Sequence, residues 1–205
     1  MKQPGKVPSI YNRHNELIGL TGWTQRVTTE AEIDQWMKAP DYGLGLQTRR
    51  VRALDVDVTD SGLAGRIAAF IEARHPALPR RQRPDSPKFL LAFVCAPGEQ
   101  IAKRRVTTEH DGVIEFLATG QQFVATGTHP DGARYEWARG LPAALPTLTL
   151  EQFEVLWGDL CQEFGTGASI ALSTAQRQRE PDIKMDDPIA DHIEGMTEIF
   201  HGREP

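Results

Sequence analysis

Alternation of apolar and polar positions marks the strands of this chain. Across residues 52–58, Leu54, Val56 and Val58 alternate with Asp55 and Asp57. That period of two sends the aliphatics to one face of a strand and both carboxylates to the other. Gly43-Leu44-Gly45-Leu46 predicts a buried strand just upstream, with Arg49-Arg50 at the turn between them. Further strands are predicted over 88–94, 113–117 and 122–126, the last following the turn signal Thr119-Gly120. A short final strand is expected over 134–137, after Pro130-Asp131-Gly132.

Helical periodicity appears in three places. Thr29-x-x-Glu32 is a capping box opening a short helix that carries Ile33, Trp36 and Met37 on one face and ends at Pro40. Ser61 begins a helix running to about Arg74, with Leu63, Ile67, Phe70 and Ile71 at helical spacing and His75-Pro76 breaking it. Thr149-x-x-Gln152 caps a second clear helix bearing Leu150, Phe153, Leu156, Trp157 and Leu160, which Gly165-Thr166-Gly167 closes. Residues 1–27 read as turns, 96–111 as a polar loop near the active face, 142–146 as a linker, 173–188 as flexible and 189–200 as a short amphipathic helix. Two strands, a helix and then a run of strands predict an α+β fold.

Composition narrows the class. With 40% hydrophobic residues, the 205-residue chain can bury a core. No apolar run is long enough for a membrane span, and the N-terminal residues lack the apolar stretch of a signal peptide, so a cytoplasmic protein is expected, with no membrane partner. Cys95 and Cys161 are far apart and lack companions at ligand spacing, which argues against a disulfide framework or a zinc site. The net charge of −5 is unevenly spread: eight acids against two bases give residues 180–205 a charge of −6, leaving the preceding 179 residues at +1. That body carries basic clusters at Arg49-Arg50-Arg52, Arg80-Arg81-Arg83-Lys88 and Lys103-Arg104-Arg105. Acids flanked by bases suit a polyanionic substrate.

Four features carry candidate chemistry. Asp55 and Asp57, on one strand face, stand roughly 6–7 Å apart at Cα, close enough to grip a hard divalent cation such as Mg²⁺. Glu115 is a single carboxylate inside the apolar strand Val113-Ile114-Glu115-Phe116-Leu117, and would complete a three-acid site if the two strands were neighbours. Arg83-Pro84-Asp85-Ser86-Pro87-Lys88 puts two cations at a loop–strand junction, suited to phosphates. The block from Gly120 to Gly132 joins glycine turns to Gln121, Gln122 and His129. No nucleophile elbow, phosphate-binding Walker loop or Rossmann glycine pattern is present.

In this order the features resemble the N-terminal primase-polymerase (prim-pol) domain of phage and plasmid replication proteins, within the archaeo-eukaryotic primase superfamily. The resemblance covers about residues 4–140. It runs from Gly5-Lys6-Val7-Pro8 and Gly22-Trp23 through Leu54-Asp55-Val56-Asp57-Val58, Ser86-Pro87-Lys88 and Ile114-Glu115-Phe116. It ends at Gly120-Gln121-Gln122-Phe123-Val124, His129-Pro130 and Tyr135-Glu136-Trp137. It implies an RRM-like antiparallel or mixed catalytic sheet with flanking helices and a small N-terminal α/β unit. It also implies template-directed nucleotidyl transfer from nucleoside triphosphates to a 3′-hydroxyl, with Mg²⁺ or Mn²⁺ held by Asp55, Asp57 and Glu115. Arg83, Ser86 and Lys88 would then hold phosphates, and Gln121, Gln122 and His129 would border the nucleotide. Many members carry a histidine where this chain has Lys88.

Single-stranded DNA template or primer-template, nucleoside triphosphates and a replicative helicase are the partners implied. Residues 1–145 are then read as the catalytic domain, 146–172 as a helix packed on or following it, and 173–205 as an acidic tail. Two other readings stay open: a non-catalytic single-stranded-DNA-binding module of a replication initiator, and a metal-dependent nuclease.

Overall fold

The computed structural model describes residues 8–11, 13–14, 16–36, 38, 43–96 and 101–166. Gly5-Lys6-Val7, the Met37 and Pro40 end of the first helix, the flexible stretch and the tail helix lie outside these residues. The chain begins with a small antiparallel ladder, β1 (Ser9–Tyr11) with β2 (Leu17–Gly19), in a segment read from sequence as turns alone. Helix α1 (Glu30–Trp36) follows, capped as its sequence predicts. The Glu32 N–H donates to Thr29 Oγ1 at 3.3 Å, and the Glu32 carboxylate accepts the Thr29 N–H at 2.9 Å.

The body is α+β, built on a seven-stranded sheet. At its centre β4 (Val51–Asp57) runs antiparallel to both β6 (Ser86–Cys95) and β8 (Val113–Leu117). Outside β6 lie β5 (Arg80–Arg83) and then β10 (Glu136–Trp137); outside β8 lies β7 (Arg104–Thr107). β11 (Thr147–Leu148) adds a parallel pairing to the end of β6. A separate antiparallel pair, β3 (Leu44–Gln47) with β9 (Gln122–Thr126), lies apart from this sheet.

The structure corrects two readings. Residues 96–111 are not all loop, because β7 lies within them; Val106 is fully buried there and anchors the strand. The Arg83–Lys88 stretch, read as a loop running into a strand, is a tight hairpin in which β5 ends at Arg83 and β6 begins at Ser86. The linker over 142–146 holds neither helix nor strand and leads directly into β11, with the Val94 N–H donating to the Pro146 carbonyl at 2.9 Å.

The two sheet faces have different cores. On the back, Leu54, Val56, Phe93, Ile114 and Phe116 meet α2 (Ser61–Arg74) and α3 (Leu150–Phe164). Phe116 and Phe153 approach to 4.3 Å between ring centroids, and each large side chain buried here contributes about 1.5–3 kcal/mol. Asp60 caps α2, its side chain accepting the Leu63 N–H at 2.6 Å. Thr149 and Gln152 form the predicted capping box of α3.

On the front, a second cluster joins Ala53, Leu90, Ala92 and Leu117 of the sheet to Phe123 and Ala125 of β9. The Trp137 indole N–H donates to the Ala125 carbonyl at 3.0 Å and ties this layer to β10. Gly127 (φ +120°) is confined to glycine, since a Cβ there would stand 2.6 Å from Gly43 Cα. The β9 layer therefore roofs one end of the front face, above Ala53 and Ala92. Asp55 and Asp57 come next along β4.

Candidate active site

Asp55 is directly opposite Glu115 in the β4–β8 register and opposite Leu90 in the β4–β6 register. Arg81 is opposite Leu90 on one side, and Arg105 is opposite Glu115 on the other. Directly paired residues project from the same sheet face. One row across five strands therefore reads Arg81, Leu90, Asp55, Glu115, Arg105: two carboxylates flanked by two arginines. Asp57 belongs to the next row on this face, opposite Val113. Continuing the β4–β6 register sets Lys88 beside it, with Nζ 2.5 Å from Asp57 Oδ1.

The environment at Asp55 disfavours its charged form. Loss of water on burial is the largest cause, Asp57 and Glu115 add repulsion, and together these outweigh the attraction of Arg81 and Lys88, pushing its pKa up to about 6. A carboxylate with a raised pKa among other acids is a place where added positive charge is favourable.

Arg81 was not singled out from sequence and is the main addition to the site. It is buried, at 8% exposure, with its guanidinium 4.3 Å from the Tyr135 ring centroid. Its Nε has no hydrogen-bond partner among the described residues. Burial lowers its pKa, while Asp55 and Tyr135 oppose that. The signal for it was the two-residue spacing to Arg83, which implies a strand once the hairpin is known.

Arg83 is also mostly buried, its side chain 3.4 Å from Asp85 and 3.5 Å from Asp131. The Ser86 hydroxyl accepts the Lys88 N–H at 3.3 Å and so shapes the start of β6. His129 is buried beside Tyr135, its Nδ1 3.0 Å from the Asp131 carboxylate and 3.2 Å from the Asp131 N–H. Arg83 and His129 thus share Asp131, which joins two segments that the sequence holds far apart.

Gln121 and Gln122 fall elsewhere. The Gln121 side chain accepts the Ala118 N–H at 3.0 Å, and its carbonyl accepts the Thr48 N–H at 3.0 Å. That place is three residues past Glu115, roughly 10 Å along the strand. Gln122 pairs with Gln47 and alternates with Phe123 and Ala125, which face the front cluster. The structure does not bring these two amides to the carboxylates. Of the Arg49-Arg50-Arg52 cluster, Arg49 donates to the Thr24 carbonyl and buried Arg52 to the Thr48 carbonyl and Thr119 hydroxyl, so two of its three cations are used inside the fold.

The donor set fits a hard cation in chemistry, being carboxylate oxygens on one face with water-poor Asp55 between the others. As they stand, the acids lean on the protein's own cations: Asp57 on Lys88, and Glu115 on Lys103 and Arg105 at 3.7 and 3.9 Å. Among the described residues, no three acidic, histidine or cysteine side chains close around one point. A bound metal would therefore take the place of these cations.

An α+β sheet whose front face carries acids between two banks of bases suits a polyanionic substrate. The sequence model of the bifunctional DNA primase/polymerase N-terminal domain matches residues 1–148, and the chain belongs to that family. A domain of this family has DNA primase/polymerase activity, with DNA and nucleotides as its partners. No curated protein matches the sequence. Among the described residues, no helix is long and apolar enough to cross a membrane.

Proposed function

We propose that the domain is a template-directed nucleotidyltransferase, adding nucleotides from triphosphates to a 3′-hydroxyl on a single-stranded DNA template or primer-template. The observation that supports this most is the shared rung of Asp55 and Glu115, with Asp57 two residues along the same face. In this reading the three acids hold Mg²⁺ or Mn²⁺. When bound, such ions supply charge for the attacking oxygen and for the pyrophosphate leaving group.

The chain's own residues do the rest. Lys88 releases Asp57 and turns to the triphosphate. Arg83, held by Asp85 and Asp131, presents a fixed fork to phosphate oxygens. Ser86 holds the Lys88 backbone in place. His129 and Tyr135 wall the nucleotide side of the pocket, and Arg81 beneath them keeps positive charge beside Asp55. The new P–O bond forms between the 3′-oxygen and the α-phosphorus as the bond to pyrophosphate breaks. We read the setting as replication of a phage or plasmid genome, beside a helicase, on the resemblance set out above.

The test is a template-extension assay with deoxy- and ribonucleotides, with and without primer, in Mg²⁺ and Mn²⁺. Incorporation lost in Asp55→Ala supports the reading. Incorporation that survives this change in pure protein overturns the site. DNA degradation without nucleotides would instead favour a nuclease, a reading kept open by the Lys88–Asp57 pair, since nucleases also place a lysine beside paired acids.

A further inference from the structure

The two banks of cations flanking the acids are built differently. On the β5 side, Arg81 is buried and Arg83 nearly so, walled in by β10 and the segment carrying His129 and Tyr135. On the β7 side, Lys103 and Arg105 are open to solvent, their side chains 53% and 61% exposed. β7 is the last strand on that side of the sheet. Neighbouring Arg104 points the other way, makes two bonds to the Glu154 carboxylate and lies over Phe153. β7 is thereby clamped to α3 from behind, while Lys103 and Arg105 lie on the front beside Glu115.

Among the described residues both pair with Glu115, at 3.7 and 3.9 Å, longer than a good hydrogen bond. Exposed pairs of this kind are worth about 0–1 kcal/mol, so a competing anion displaces them at little cost. A compact ligand fits the walled side. A polymer must extend beyond the site, and the β7 edge offers it two exposed cations.

We propose that Lys103 and Arg105 form a subsite for the phosphodiester backbone of a nucleic-acid strand, which enters the carboxylate row over the β7 edge opposite the nucleotide side. The inference rests on the nucleotidyltransferase reading for its direction, and on charge and exposure for the subsite itself. A cation held by Glu115 would leave both side chains available to phosphates. DNA and RNA strands present the same chemistry here.

The experiment titrates the full chain into fluorescein-labelled oligo(dT) and, separately, oligo(rU), following anisotropy over a range of salt. Each phosphate contact to a single strand contributes about −0.7 to the slope of log K against log salt. Lys103→Ala/Arg105→Ala should reduce the slope by about 1.4 and weaken binding roughly 10- to 30-fold near 0.1 M salt. Arg139→Ala, an exposed cation paired with Glu72 on another face, should leave both unchanged. Binding of a fluorescent deoxynucleoside triphosphate should be unaffected by the double change. An unchanged slope, no strand binding by the native protein, or equal loss of nucleotide and strand binding overturns the subsite. A reduced slope with no incorporation by the native protein would leave the subsite standing while the polymerase reading fails. A loss confined to oligo(dT) or to oligo(rU) would overturn recognition through the shared backbone.

Discussion

Asp55 and Glu115 occupy one rung of the β4–β8 ladder, so two carboxylates from segments 60 residues apart face the same small space. If this rung holds the metal, neither acid can stand in for the other. Asp55→Ala and Glu115→Ala should each reduce incorporation by roughly 10³-fold, equivalent to about 4 kcal/mol in the barrier. Single-turnover extension with saturating nucleotide measures this. Glu115→Gln should fail as well, since an amide keeps the shape and loses the charge.

The raised pKa of Asp55 has a thermodynamic counterpart in the metal-free protein. Its folded value of about 6 lies above the ordinary 3.8, so the native state binds the extra proton and loses stability as pH rises between those values. The penalty is absent below about pH 4 and complete above about pH 6. Asp55→Asn should therefore be more stable than the native chain at pH 7 by about 1–3 kcal/mol, with the two converging at low pH. Urea unfolding in a chelator, at several pH values, measures the difference.

Arg81 and Asp55 should be coupled. Removing the guanidinium leaves a water-poor carboxylate without its strongest favourable charge, so Arg81→Met should cost about 2–4 kcal/mol at pH 7. In the Asp55→Asn background the cost should shrink by about 1–2 kcal/mol. A double-mutant cycle in chelator checks this, and strictly additive costs would show that the two do not interact.

Lys88→Ala should raise KM for nucleotides about 10- to 100-fold while changing strand affinity little, because the lysine sits beside Asp57 and away from the β7 edge. Steady-state kinetics beside anisotropy separates the two effects.

Much of this site was legible from short-range pattern. The alternation around Asp55 and Asp57 fixed their common face, because a strand repeats every two residues. The boxes at Thr29 and Thr149 marked helix starts, because capping is local. Which strands touch was not legible. β4 lies between β6 and β8, which sit beyond a helix and a hairpin in the chain, so nothing near Glu115 announced its partner. β5 and β7 were hidden for another reason. Arg80-Arg81-Gln82-Arg83 has no apolar alternation, and β7 has only Val106, so neither strand was predicted. The cation at Arg81 went unassigned with them. The placement of Gln121 escaped too, because its side chain serves the turn before β9, a choice made by backbone donors and not by chemistry visible in sequence.

The back of the sheet has a practical consequence for anyone trimming this protein. The family match stops at residue 148, yet Phe153, Leu156, Trp157 and Leu160 of α3 are all but inaccessible to water against Phe93 and Phe116. A fragment cut at the recognised boundary would leave that aromatic surface bare and sticky. The span that can be recognised is shorter than the span that can stand alone, and expression designs should run at least through Thr166, whose N–H donates to the Thr107 carbonyl of β7 at 2.9 Å.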